Sequence, residues 1–189
     1  MGEFDTFLTK PKGNKNKTKG NKITNKELTL YTTRGALIAA LYVVLTAIAS
    51  AVGMSSGVVQ FRISEALCIL PIFFPEAVPG LFVGCLLSNL MVPGAVIWDI
   101  IFGSLATLLG ALGARALRNI DEKHKWVATL PTILANMIIV PLVLIFAYNV
   151  EDGFFFLMMT VGIGEIVCAG ICGTALYYLL KKSKIRWLK

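Results

Sequence analysis

Histidine occurs once in 189 residues, as His124, and acidic residues are few, 11 Asp+Glu against 18 Lys+Arg. The four cysteines, Cys68, Cys85, Cys168 and Cys172, contain no C-x-x-C pair. A lone histidine with no companion ligands offers no metal site. No Walker loop is present and no nucleophile stands beside a base, so nothing supports chemistry by this chain alone. No cofactor is implied. Charged residues make up 15% of the chain, whereas soluble domains carry about 25%. That deficit excludes an ordinary soluble domain.

What is there is mostly apolar. Hydrophobic residues make up 56% of the chain and mean hydropathy is +0.74, which reads as an integral membrane protein. A pI near 9.3 raises nucleic-acid binding, but basic residues that only bracket apolar segments report topology instead. Lys10, Lys12, Lys15, Lys17, Lys19, Lys22, Lys26 and Arg34 precede the first apolar core, and Lys181, Lys182, Lys184, Arg186 and Lys189 close the chain. No nucleic-acid partner is expected. Residues 1–32, rich in Lys, Asn, Gly and Thr without an apolar period, read as a disordered cytoplasmic tail, and residues 183–189 as a second basic tail. Ala49-Ser50-Ala51 has the form of a signal cleavage site. The basic lead is longer than a typical signal's, however, and the chain downstream stays apolar.

Residues 33–182 read as one membrane domain of six helices, at about 34–52, 64–74, 78–92, 97–117, 126–148 and 154–180. The second, bounded by Pro71 and Pro75, is short against the roughly 20 residues a span needs. The expected fold is an all-α integral membrane protein, six transmembrane helices in one bundle with both termini cytoplasmic. The loop at 115–125, with Arg118 and Lys123, then lies inside. Of the 18 Lys+Arg, only Arg62 falls in or beside the outer loops at about 53–63, 90–96 and 149–153. Glu65, Asp99, Glu151 and Asp152 collect at the outer ends, a mildly acidic mouth that favours a cationic solute.

Polar groups inside such segments mark the candidate site, because a charge near hydrocarbon persists only when it pairs or meets a ligand. The stretch 59–89 supplies Gln60, Phe61, Arg62 and Glu65. Glu65 and Arg62 read equally as ligand contacts or as loop structure, Glu65 in the latter case being a first-turn acid after Ser64 as N-cap or half of an ion pair with Arg62. On the fourth helix Asp99 shares a face with Gly103, Ala106, Gly110 and Gly113 and follows Trp98; an interfacial acid at a helix N-terminus is the alternative. Thr129, Thr132 and Asn136 form a polar stripe at i, i+3 and i+7 on the fifth helix, which Pro141 extends by freeing the Met137 carbonyl. Interhelical hydrogen bonding explains that stripe as well as ligand contact does. Glu165 lies about eleven residues into the last helix, roughly 16 Å deep at 1.5 Å per residue. Pairing with Arg62 there demands a long reach. On the first helix Ala36, Ala40, Ala47 and Ala51 form a smooth stripe, suited to close helix packing within the bundle or against a partner.

One block is more specific than composition. Gln60-Phe61-Arg62-Ile63-Ser64-Glu65-Ala66-Leu67, then Leu70-Pro71, Pro75, Pro79-Gly80-Leu81 and Gly84-Cys85, resembles the QueT family of substrate-binding S components of energy-coupling-factor (ECF) transporters. Asp99 and Phe102-Gly103-Ser104-Leu105-Ala106-Thr107 resemble the family's next block, and the likeness covers about 33–180. The resemblance implies uptake of a queuosine precursor, 7-aminomethyl-7-deazaguanine or a related deazapurine, across a prokaryotic plasma membrane. It also implies a membrane coupling subunit and two cytoplasmic ATPases as partners, docking at Ala36 and Ala40, and delivery by toppling in the bilayer. Under this reading Glu165 and Asp99 supply two carboxylates with Glu65 in reserve. Asn136, Gln60 or Arg62 meets the ligand carbonyl, and Phe61 and Trp98 stack on the ring. The competing reading is a stand-alone secondary transporter for a small cationic or nucleobase-like solute.

Overall fold

A computed structural model of the chain describes residues 25–54, 61–91 and 96–183. Gln60 and the greater part of both tails lie outside the described residues. Helix α1 runs Asn25–Ala51, beginning within the stretch assigned from sequence to the basic tail. Its end is set by Gly53, at φ 77°, whose N–H donates to Ser50 O while that of Met54 returns to Ala49 O. A glycine takes this left-handed turn without strain, which is why the helix stops here.

The next element is a 3-10 helix, Ile63–Ile72, rather than an α-helix. Ten residues is long for this form, which seldom exceeds four. Every residue from Ser64 to Pro71 is buried, so the segment threads the interior instead of facing lipid. Its last carbonyls are met by Arg115, whose Nη1 donates to Pro71 O at 3.0 Å and to Ile72 O at 3.5 Å. Those contacts satisfy acceptors that a helix end leaves open.

Helix α2, Ala77–Met91, packs along α1 through small residues. A Cβ on Gly80 would lie 2.6 Å from Gly35 O, and one on Gly84 3.0 Å from the Ala39 backbone. Gly80→Ala is therefore expected to push α1 and α2 apart and cost about 1–3 kcal/mol, read as a lower unfolding temperature in detergent. Gly170→Ala, whose Cβ would approach nothing closer than Ile133 Cδ1 at an ordinary 3.5 Å, is expected to change little.

Helix α3, Ile97–Ala116, presents Gly103, Ala106 and Gly110 inward. It meets α4, Leu130–Tyr148, so closely that a Cβ on Gly110 would fall 2.5 Å from Thr132 Oγ1. Helix α5, Phe154–Glu165, passes directly into a π-helical stretch, Ile166–Cys172, and then into α6, Gly173–Lys182. The last helix read from sequence is thus three helical forms in one continuous element.

Among the described residues, four helical elements are long and apolar enough to cross a membrane: Asn25–Ala51, Ile97–Asn119, Glu122–Tyr148 and Phe154–Lys182. Ile63–Ile72 and Ala77–Met91 are apolar but shorter. Ten 3-10 residues rise about 20 Å and fifteen α-helical residues about 22 Å, both short of a roughly 30 Å hydrocarbon core. The ionic contacts gather at one end. Arg34 Nη1 pairs with Glu76 Oε1 at 3.2 Å, and Lys181 Nζ with Glu122 Oε2 at 2.9 Å. Tyr177 also donates its hydroxyl to Glu122, and Lys125 Nζ donates to Arg118 O at 2.7 Å.

Candidate functional site

The two irregular helices pack on each other, and a buried carboxylate stands near the start of each. The 3-10 helix carries Glu65 in its first turn. The π stretch begins immediately after Glu165. Inserting a π-turn rotates the residues around it relative to a regular helix, and such insertions recur at functional sites. Both carboxylates are buried, at 0% and 3% exposure, and they are near enough for their charges to interact. Two acids in a shared interior are costly unless hydrogen bonds or an incoming cation compensate them.

Their hydrogen bonding differs sharply. Glu65 Oε1 accepts from Tyr42 Oη at 2.5 Å and from Thr107 Oγ1 at 3.2 Å, and Oε2 accepts from Cys68 Sγ at 3.0 Å. Helix α1, helix α3 and the 3-10 helix are thereby tied to one side chain. Glu165 Oε2, by contrast, has no hydrogen-bond partner among the described residues, nor has either polar atom of Asn136, nor Thr132 Oγ1. Thr132 and Asn136 are both fully buried, on α4. Asn136 lies beside the Glu165 carboxyl without meeting it at hydrogen-bonding geometry. Native interiors satisfy nearly all such atoms, so four orphans on two neighbouring helices form a distinct locus. It offers a carboxylate acceptor, an amide acceptor, an amide donor and a hydroxyl.

Arg62 borders this locus. It turns not to Glu65 but to α2, donating from Nη2 to Asn89 Oδ1 at 3.2 Å, with Cys85 Sγ at 3.8 Å. No ion pair joins Arg62 to Glu65 or Glu165 among the described residues, although its charge reaches both carboxylates. The ion pairs offered from sequence as the alternative explanation of these acids are therefore not formed. Asp99 stands at the head of α3, where Oδ2 accepts from Tyr148 Oη at 3.1 Å, and its charge also reaches Arg62.

The sequence-derived candidates therefore divide. Arg62, Glu65, Asn136 and Glu165 come together, with Asp99 in electrostatic range and half-buried Phe61 beside Arg62. Trp98 does not join them. It is 54% exposed, stacks on Phe102 with ring centroids 6.0 Å apart, and lines an apolar groove of about 440 Å³ between α3 and α4. Gln60 lies outside the described residues. Ala36, Ala40, Ala47 and Ala51 are all exposed on α1, so the stripe is not used for packing inside the chain. Tyr42 and Thr107 were missing from the sequence candidates, and Thr132 stood there only as part of the polar stripe on the fifth helix. Thr107 had a signal, lying at i+8 from Asp99 on the small-residue face of α3. Tyr42 had little, being one phenol in an apolar helix.

The family profile described as QueT transporter matches residues 32–182. The chain belongs to the QueT transporter family. All the candidate residues above fall within the matched region. A queuosine precursor transporter QueT from Lactococcus lactis subsp. cremoris (strain MG1363) is 34% identical over 93 residues, which is 48% of this chain and 53% of that protein. The match thus spans about half the length of this curated relative. No solved structure matches the chain.

Proposed function

We propose that this chain is the substrate-binding membrane component of an ATP-driven, ECF-type uptake transporter for a queuosine precursor. Family membership supports the transport class, and the similarity to the Lactococcus lactis queuosine precursor transporter supports the solute. The observation that carries the binding role is the set of orphaned polar atoms on Thr132, Asn136 and Glu165. A deazaguanine edge has two adjacent N–H donors for the Glu165 carboxylate and a carbonyl for the Asn136 amide N–H. Its aminomethyl cation goes to Asp99, with Arg62 and Phe61 at the rim. Glu65, whose oxygens are already engaged, frames the site. Mass spectrometry of what co-purifies with the chain tests this reading. A deazapurine should be found, and its absence, together with no saturable binding of added 7-aminomethyl-7-deazaguanine, would overturn it.

The topology proposed is six passes with both termini cytoplasmic, the two short segments being held inside the bundle. The gathering of ionic contacts around Arg34, Glu76, Arg115 and Lys181 at one end, with Asp99 and Tyr148 at the other, supports it. The partners proposed are a membrane coupling subunit and two ATPases, docked through α1, with toppling as the delivery step. The apolar window of α1 is only 17% buried within the chain, and its alanine stripe is free for another helix. Ala36→Leu with Ala40→Leu is expected to lower ATP-dependent uptake at least tenfold while precursor affinity stays within twofold. Uptake into liposomes by the purified chain alone would favour a secondary transporter instead.

A further inference from the structure

A second groove opens on the membrane face between α4 and the π stretch. It holds about 480 Å³ and is lined by Trp126, Thr129, Ile133, Ile166, Gly170 and Thr174 among others. It is separate from the carboxylate centre, and its floor is lowered by Gly170, which brings no side chain. The groove runs towards the ionic end of the bundle. On α6 the face that begins at Thr174 continues at i+4 to Tyr178 and at i+8 to Lys182, both exposed. Tyr178 Oη donates to Glu122 O at 3.4 Å, which joins that face to the 3-10 helix Glu122–Thr129 carrying Lys123 and Trp126.

The charge at this end is one-sided. Arg115, Arg118, Lys123, Lys125, Lys181 and Lys182 face only Asp121 and Glu122 between residues 115–125 and 181–182. Glu122 is already held by Lys181 and Tyr177, and Lys125 is turned back onto Arg118 O. Lys123 and Lys182 are exposed, and no ion pair engages them among the described residues. An aromatic ring at an interface, an apolar channel below it and cations above it match the parts of one anionic phospholipid.

We propose that this groove is a binding site for an anionic phospholipid, one acyl chain lying over Gly170 and the headgroup phosphate meeting Lys123 and Lys182. Lipid held there braces α4 against the π stretch that follows Glu165.

The test is native mass spectrometry of the full chain in neutral detergent, with phosphatidylglycerol and phosphatidylcholine of identical chains in equal amounts. Phosphatidylglycerol should be retained on the order of tenfold more than phosphatidylcholine. Lys123→Ala with Lys182→Ala should bring it down to the phosphatidylcholine level. Gly170→Leu, which occupies the channel, should lower retention of both. Equal retention of the two lipids by the unaltered chain overturns the proposal, and so does undiminished phosphatidylglycerol retention in the lysine double variant. The lysine variant decides alone should Gly170→Leu fail to fold.

Discussion

Glu165→Gln is expected to raise the Kd for 7-aminomethyl-7-deazaguanine about 100-fold, while the unliganded protein keeps its unfolding temperature or gains a few degrees. Both halves follow from the state of the side chain. Its Oε2 is buried and without a partner among the described residues, as are both polar atoms of the neighbouring Asn136. Charge-assisted hydrogen bonds are worth roughly 1.5–3 kcal/mol each, and a carboxylate facing two N–H donors loses at least one when an amide NH₂ replaces an oxygen. A hundredfold corresponds to about 2.7 kcal/mol, within that range. The stability half has the opposite sign because a neutral amide is less costly to bury than an unpaired carboxylate beside a second acid. Isothermal titration and thermal unfolding in the same detergent read the two effects separately. Binding within twofold of wild type would remove Glu165 from the site. A loss of more than about 5 °C without ligand would make it a structural residue, since 1 kcal/mol shifts a chain of this size by roughly 2–4 °C. Trp98→Ala serves as the control, because its ring faces the outer groove, and affinity should stay within about twofold.

Much of this arrangement was legible in the sequence, and the parts that were not share a physical reason. Apolar length and segregated charge point to a membrane-embedded helical chain, and a polar residue inside such a chain is conspicuous. That is how Asn136 and Glu165 stand out in the sequence alone. Helical form is harder to read. Ser64-Glu65-Ala66-Leu67-Cys68-Ile69-Leu70 contains good α-helix formers, yet it adopts a 3-10 helix because its surroundings, including Arg115 on the Pro71 and Ile72 carbonyls, hold it there. Nothing local announces the π stretch at Ile166–Cys172, whose glycine and alanine suit several helical forms. Partner choice is harder still. Arg62 and Glu65 are three residues apart, which suggests a local pair. The structure sends Arg62 27 residues along to Asn89, and gives Glu65 a phenol 23 residues back and a hydroxyl 42 residues ahead. Tertiary contact decides which of two nearby carboxylates is satisfied, and that difference separates framework from recognition.

That separation yields the second large effect: Glu65→Ala is expected to destabilise the protein by about 4 kcal/mol, lowering its unfolding temperature by roughly 10 °C. The substitution removes the acceptor of Tyr42, which is 0% exposed and has no other hydrogen bond through its hydroxyl among the described residues. A buried donor left without a partner costs about 1–3 kcal/mol, and the cavity left by the side chain adds to this. Thr107 suffers less, because its hydroxyl also reaches Gly103 O at 3.2 Å and Cys85 Sγ at 3.3 Å. Glu65→Gln keeps the shape and one acceptor oxygen, so it should cost only about 1–2 kcal/mol. Tyr42→Phe should cost a similar amount, and the double variant less than the sum, since both substitutions break one bond. Coupling of about 1 kcal/mol between these two positions marks Glu65 as the tie between α1 and the 3-10 helix. The contrary result is specific: precursor binding abolished by Glu65→Gln with unfolding unchanged would make Glu65 a ligand-contacting group and return the framing role to Arg62 and Asn89. Glu65 and Glu165 thus carry opposite expectations for stability although both are buried glutamates in one centre. The sign of the change, read without ligand, distinguishes a carboxylate that the fold satisfies from one left for the solute.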